Sequence, residues 1–302
     1  MPLSPAHKGA LLTALAMLLF AIMDSMSKLL TQDYPIVEAL WVRYVIFLVF
    51  ALIMARPRGM AAVAKSARPW MQTARSLVSL VEAGVFVLAF QYLPLAETHA
   101  VAASSPLMVV ALSAPLLGER IGPGGWLSVC AAFAGVMLII RPGFAALSWP
   151  LLIPLLGAFL WALYQIMVRF LAREDSPETT LLWSAFVGLI ALSLAAPWDF
   201  RMPDSRGWLL LGVIGILGSF AHYAMIKALN HARASTVQPY GYLLLVFAAI
   251  MGWLVFGDTP DCWTVLGACI VVLSGLYTWS RERQGPGTDQ ETGNDGKHDD
   301  GR

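Results

Sequence analysis

IVEALWVRYVIFLVFALIMARPRG, residues 36–59, holds most of the argument in one stretch. Crossing the hydrocarbon core of a bilayer takes about 20 mostly apolar residues in a helix. Ile36 to Ala55 supplies them, with Glu38 and Arg43 as its charged groups. The run stops at Arg56-Pro57-Arg58-Gly59, where proline has no N–H to give and glycine no side chain to hold a helix. A barrel strand would alternate apolar and polar residues over about ten positions. This run is apolar on both parities for twice that length, so it reads as a spanning helix.

Moving outward, the same pattern recurs along the chain. The expected spans are 8–30, 36–55, 73–93, 97–117, 123–140, 149–171, 177–197, 207–228, 232–256 and 260–279. Breaks such as Asp33-Tyr34-Pro35, Gly122-Pro123-Gly124, Arg141-Pro142-Gly143, Asp175-Ser176-Pro177 and Asp258-Thr259-Pro260 separate them. Composition agrees: 58% of the 302 residues are hydrophobic and 13% charged, whereas a soluble domain is about half apolar and a quarter charged. The expected fold is an all-α integral membrane protein of ten transmembrane helices.

The first apolar run reaches Leu30, carries Asp24 and Lys28 and lacks a small-x-small cleavage site, so it reads as a retained helix rather than a signal peptide. Cys130, Cys262 and Cys269 form no CxxC pair and have no histidine at ligand spacing; they read as small buried hydrophobes, with no metal and no cofactor expected. From about Arg281 the chain turns polar, and residues 281–302 read as a disordered tail. Lys8, Arg56, Arg58, Lys65, Arg68, Arg120, Arg169, Arg173, Lys227 and Arg233 fall on one side of this topology, against Lys28, Arg141, Arg201 and Arg206 on the other. The positive-inside bias puts both termini in the cytoplasm. A net charge of +1 gives no field for nucleic acid.

The halves echo each other. Pro35, Leu40 and Trp41 recur as Pro177, Leu182 and Trp183, and Ala21, Met26 and Lys28 as Ala162, Met167 and Arg169. Ala89, Gly118-Glu119 and Cys130 recur as Ala228, Gly257-Asp258 and Cys269. Five helices is an odd number, so a duplicated unit enters the membrane from opposite sides. The expectation is a 5+5 inverted repeat around a central cavity, with residues 1–145 as the first repeat and 146–280 as the second, and with substrate near the midplane between them.

Trp41-Val42-Arg43-Tyr44 in the second helix, Gly118-Glu119-Arg120 after the fourth and Gly257-Asp258 after the ninth carry a resemblance to a known family. Over about residues 8–280 the chain resembles the drug/metabolite transporter superfamily, specifically its EamA-type exporters, and among them the bacterial YddG-type amino-acid exporters. Gly-Asp replaces the usual Gly-Glu in the second half. The resemblance implies export of amino acids across the inner membrane, and helices five and ten as peripheral supports. Helix five carries Gly124-Gly125, Ala131-Ala132 and Gly135, and helix ten carries Gly267 and Gly275, small residues that allow close approach.

Ionisable groups inside spans are costly and mark cavities or partners. Asp24 and Lys28 share a face of helix one, as cavity wall or as a local ion pair. Arg43 suits a substrate carboxylate, or holds Glu82 or Asp24 as structural glue. Arg75, Ser79 and Glu82 share a face of helix three; Glu82 is the proton-coupling candidate, or else an arginine's partner. Pro106 frees a carbonyl beside Ser104 and Ser105, as cavity lining or an ordinary kink. His99 reads as solvated near the outer interface. Trp161, Tyr164 and Gln165, His222 and Tyr223, and Gln238 and Tyr242 complete the cavity candidates, with belt aromatics as the alternative.

No HExxH, GxSxG or phosphate loop is present, and Ser219 and His222 lie within one helical turn, so the chain does not read as an enzyme. The expected function is alternating-access export of small metabolites, amino acids with aromatic or other neutral side chains. Alternatives are a drug/proton antiporter built on Glu82 or Asp24, a sugar-phosphate or nucleotide-sugar antiporter, which needs more buried Lys and Arg, and a non-transport membrane scaffold. The partners expected are a small-molecule substrate and the bilayer; monomer and homodimer both stay open.

Overall fold

The computed structural model describes residues 5–31, 33–117, 123–140, 149–195, 202–232 and 234–284, and all its regular structure there is helical. The helices are α1 (Pro5–Leu30), α2 (Ile36–Ala55), α3 (Met60–Ala64), α4 (Pro69–Tyr92), α5 (Leu95–Ala102), α6 (Ser105–Leu117), α7 (Pro123–Ile140), α8 (Leu152–Leu171), α9 (Pro177–Ala195), α10 (Ser205–His231), α11 (Ala234–Gly241), α12 (Leu243–Met251) and α13 (Cys262–Gln284). Among the described residues eight helical stretches are long and apolar enough to cross a membrane, and two shorter apolar helices, Trp126–Ile139 and Cys262–Tyr277, lie within the fifth and tenth expected spans. The Gly118-Glu119-Arg120 motif and most of the 281–302 tail lie outside the described residues.

Local chemistry sets the helix ends. Pro69 and Pro177 open α4 and α9, where the missing N–H costs nothing. Asp204 caps α10 by accepting the Gly207 N–H at 2.7 Å. The fourth expected span is two helices. Pro106 cannot donate to the carbonyl four residues back, and the chain breaks into a turn at Ala103-Ser104 before α6 begins. Pro239 sits inside α11, and α11 and α12 part at Tyr242. A π-helical turn, Gly252–Phe256, follows α12 and ends on Gly257 at φ +70°, a left-handed position suited to glycine.

Packing follows four principal pairs: α1 along α10, α4 along α8, α2 along α9, and α7 along α13. In the last pair, a methyl on Gly135 would stand 2.8 Å from the Gly267 carbonyl oxygen, so two backbones touch where the sequence placed small residues. Large apolar side chains cover the exterior, among them Leu127, Phe133, Trp253 and Leu273. Cys130, Cys262 and Cys269 are exposed rather than buried, against the expectation. In a lipid-facing surface a thiol is as much at home outside the bundle as within it.

The loops meet at two ends. At one, segments 56–68 and 172–178 interlock: Arg58 bonds Glu178 at 2.6 Å, and Arg68 bonds Glu174 with two N–H groups at 3.0 and 2.9 Å. Between them Asp175 accepts Ser66 Oγ at 2.5 Å, the Ala67 N–H at 2.9 Å and Gln72 Nε2 at 2.8 Å. Among the described residues the other end has separate joints: Lys28 to Asp258 at 3.0 Å, the Tyr34 hydroxyl donating to Asp204 at 3.1 Å, Trp41 Nε1 to Ser193 Oγ at 3.0 Å and Gln91 Nε2 to the Thr31 carbonyl at 3.3 Å. The local Asp24–Lys28 ion pair, one of the two readings of that helix face, does not form: Lys28 bonds Asp258 and lies over the Phe256 ring at 4.6 Å.

Candidate functional site

α1 presents one stripe inward. Thr13, Met17, Phe20 and Asp24 recur at steps of four, three and four, so they share a helical face, and all four line the main cavity. This cavity, about 870 Å³ including its open mouth, lies between α1, α2, α4, α5, α8, α10 and the α11–α12 break. Its walls are largely aromatic and thioether: Phe20, Phe86, Trp161, Met17, Met23 and Met225. Its polar groups are few and come from distant parts of the chain, as in a small-molecule site.

Two polar walls can be distinguished. On one, Arg43 Nη2 stands 3.0 Å from His222 Nε2, and both side chains are buried. Arginine can only donate, so His222 accepts through Nε2 and carries its proton on Nδ1. Phe20 meets the His222 ring edge-on at 5.0 Å. Arg43 makes no other hydrogen bond or ion pair among the described residues and lines the cavity, which leaves further donors for a carboxylate. On the other wall are Asp24, Glu82 and His99. His99 Nε2 stands 3.2 Å from Asp24 Oδ2 but off the line of a hydrogen bond, and its Nδ1 has no hydrogen-bond partner among the described residues. The His99 ring stacks on Phe86 at 6.0 Å. Glu82 forms no ion pair among the described residues and lies within electrostatic reach of Arg43 and Asp24.

Of the expected site residues, Asp24, Arg43, Glu82, Ser105, Trp161, Gln165 and His222 reach this cavity. Five do not. Ser79 is buried facing the Tyr44 hydroxyl. Ser104 turns its hydroxyl back to the Val101 carbonyl at 2.8 Å, as a kinked helix invites. Tyr164 lies behind Trp161, the two rings stacked at 5.3 Å, with the Arg75 guanidinium 5.7 Å from its ring. Tyr223 faces the loop end and donates to Glu178 at 3.0 Å. Tyr242 fills the space beside Gly275 of α13, where no methyl would fit. The side chain of Gln238 lies outside the described residues.

Arg75 is structural. Fully buried, it donates to Gln72 Oε1 at 3.1 Å, Ser76 Oγ at 2.8 Å and the Thr180 carbonyl at 3.1 Å, joining α4 to α9. His99 corrects the reading of a solvated interface residue, being 2% exposed. A sequence signal for it existed: positions 99, 102, 103 and 106 share a helical face, and all four line the cavity. Among the described residues no cluster of three His, Cys, Asp or Glu could hold a metal ion.

Comparisons with known proteins agree with this architecture. A solved crystal structure superposes on 91% of this chain and 98% of its own length with a TM-score of 0.67, at 20% identity, a likeness of fold. The riboflavin transporter of Rhizobium johnstonii is 28% identical over 282 residues, covering 92% of this chain and 93% of the relative. The pseudopaline exporter CntI of Pseudomonas aeruginosa is 28% identical over 289 residues, covering 94% and 100%. The S-adenosylmethionine uptake transporter of Rickettsia prowazekii is 26% identical over 279 residues, covering 92% and 94%. The EamA-like transporter family profile matches residues 7–141 and again 147–279. A membrane-embedded helical bundle around a mixed polar and aromatic cavity, matched along nearly its whole length, thus belongs to the EamA-like transporter family of small-molecule transporters.

Proposed function

We propose that this chain is a secondary transporter that exports small metabolites across the inner membrane by alternating access, with aromatic or other neutral amino acids as its solutes. The carrying observation is convergence: Arg43, Asp24, Glu82, Trp161 and His222, scattered between positions 24 and 222, line one cavity. A scaffold has no need of that arrangement. The Arg43–His222 wall suits a carboxylate, the Asp24–Glu82 wall an ammonium group, and the Phe20, Phe86 and Trp161 rings an apolar side chain.

The proposal includes ten crossings in a 5+5 inverted repeat, residues 1–145 and 146–280, with a tail at 281–302. Helix partners support it. With α5–α6 and α11–α12 each counted as one span, the first packs on the eighth and the third on the sixth. The first also packs on the ninth and the fourth on the sixth, while the second meets the seventh and the fifth the tenth. Exchanging the halves maps this set onto itself. The excess of Lys and Arg on one side supports cytoplasmic termini. Export follows the exporter resemblance; the relatives' names include both an exporter and an uptake transporter.

Glu82 is the proton-coupling group in this proposal, and its lack of an ion pair among the described residues also favours a second reading, a drug/proton antiporter. Both are tested in liposomes containing the purified protein and a pool of labelled amino acids and related metabolites, with and without a proton gradient. Saturable release of amino acids, gradient-dependent in the wild type and gradient-independent in Glu82→Gln, is expected. Release of cationic drugs alone would favour the second reading, and no release of any solute would overturn transport.

A further inference from the structure

Arg43 has two faces. One lines the central cavity; the other lines a second, narrower space between α1, α2 and α10, together with Ser27, Leu30, Tyr34, Leu40 and Leu211. Val87 is the other residue the two spaces have in common. Leu30 and Tyr34 in turn also line a third, surface-open hollow with Asp33, Asp204 and Arg206. Three spaces therefore lie in series from the loop end to the centre, with Arg43 and Val87 between the central cavity and the second space, and Leu30 and Tyr34 between the second and the third. At the opposite loop end the interlocked 56–68 and 172–178 segments stand over the bundle instead.

Resting on the transport reading above, we propose that the second space is a transit subsite for the apolar body of a carboxylate-bearing solute, which stays anchored on Arg43 as it passes between the two cavities. The chemistry of the lining fits this division. Ser27 and Thr31 have spent their hydroxyls on their own helix, bonding the Met23 carbonyl at 2.9 Å and the Lys28 carbonyl at 2.7 Å. Among the described residues the subsite therefore offers largely apolar walls and one charged group, the Arg43 guanidinium. Arg43 makes one bond to His222 and keeps further donors in its fork, so a carboxylate can be held from either side while His222 is released or recaptured. Releasing the solute to the surface then requires the Tyr34 hydroxyl to leave Asp204, the joint that separates the second space from the third.

The test is thiol labelling with solute protection in the full chain. Cys130, Cys262 and Cys269 are replaced by serine, and Ser27→Cys or Leu211→Cys is added. Proteoliposomes are treated with a membrane-impermeant methanethiosulfonate, alone or with saturating tryptophan or tryptamine, and tryptophan transport is measured beside it. Expected is labelling of both cysteines, slowed at least fivefold by tryptophan, not by tryptamine, with that protection lost in Arg43→Gln although labelling persists. Unlabelled cysteines would overturn the route. Equal protection by tryptamine, or protection surviving Arg43→Gln, would overturn the anchor. Tryptophan transport without protection would sink this inference and leave the transport reading standing; absent transport in the serine-substituted chain and the wild type would sink both.

Discussion

The two loop ends of this bundle are built differently. At the 56–68/172–178 end, Asp175 is 7% exposed and gathers three donors from two segments, with two arginine–glutamate pairs on its flanks. At the other end the joints among the described residues are separate ones, a lysine–aspartate pair, a tyrosine–aspartate bond, a Trp41–Ser193 bond and a Gln91–Thr31 bond, and hollow space lies beneath Tyr34. A buried carboxylate with several donors is costly to break, because each donor left behind loses its partner. An isolated, partly exposed pair holds weakly. The contrast says that one mouth is sealed by a network and the other by separable latches.

Breaking the network should give the largest effect. Asp175→Ala is expected to cost about 3 kcal/mol, since hydrogen bonds to a buried charge are worth about 1.5–3 kcal/mol and several donors are orphaned. Equilibrium unfolding in detergent checks this; a loss under about 1 kcal/mol would place this end on the same footing as the other. Lys28→Met should cost at most about 1 kcal/mol by the same assay, because the side chains of Lys28 and Asp258 are 15% and 28% exposed. It should also speed exchange if that pair is a latch, which tracer exchange at equal solute concentrations measures. Gly207→Ala is a gentler probe, because its new methyl would push first on the Tyr34 hydroxyl, the far end of that side chain, and then on the ring carbon that carries it at 2.8 Å and Asp204 Oδ1 at 3.1 Å. Its expected signature is faster labelling of Ser27→Cys with little change in stability.

The smallest effect is a pH dependence. The Gly207 N–H, then the Tyr34 hydroxyl, hold the Asp204 carboxyl below its usual range, and the Arg68 hydrogen bonds do the same for Glu174. For a carboxyl depressed in the folded state, the stabilisation is fully present above its unfolded pKa and lost as pH falls through the folded one. Neither joint should therefore weaken between pH 8 and about 5, and both should loosen below the ordinary carboxylate range. Labelling of Ser27→Cys across that range reads the Asp204 joint; an increase already at pH 6 would assign the latch to some other group.

The helices were legible because apolar run length and Pro/Gly breaks are local signals. Ile36 to Ala55 needs no partner to be recognised as a span. Rotation about each axis was much less legible, since a helix apolar on all sides does not declare which face turns inward. Trp161 and Tyr164 are three positions apart, yet Trp161 lines the cavity and Tyr164 stands behind it. Tyr242 was assigned inward by its polar tip, but the absence of a side chain on Gly275, thirty-three positions away, draws it toward α13. Cross-half partners such as Lys28–Asp258 and Arg58–Glu178 are tertiary facts that no local pattern carries. The charged groups fared better: Asp24, Arg43 and Glu82 reach the cavity, because an ionisable residue in a span has few other places to go.

Two arginines put the central claim to the most direct test. Arg75 is fully buried and hydrogen-bonded to α4 and α9, whereas Arg43 faces the cavity. Saturable tryptophan transport and the unfolding midpoint should be measured together for Arg43→Gln and Arg75→Gln in liposomes and detergent. The account predicts at least a tenfold loss of transport in Arg43→Gln at an unchanged midpoint, and a lowered midpoint in Arg75→Gln. Unchanged transport in Arg43→Gln, or transport and stability falling together in both variants, would contradict a solute site at this cavity.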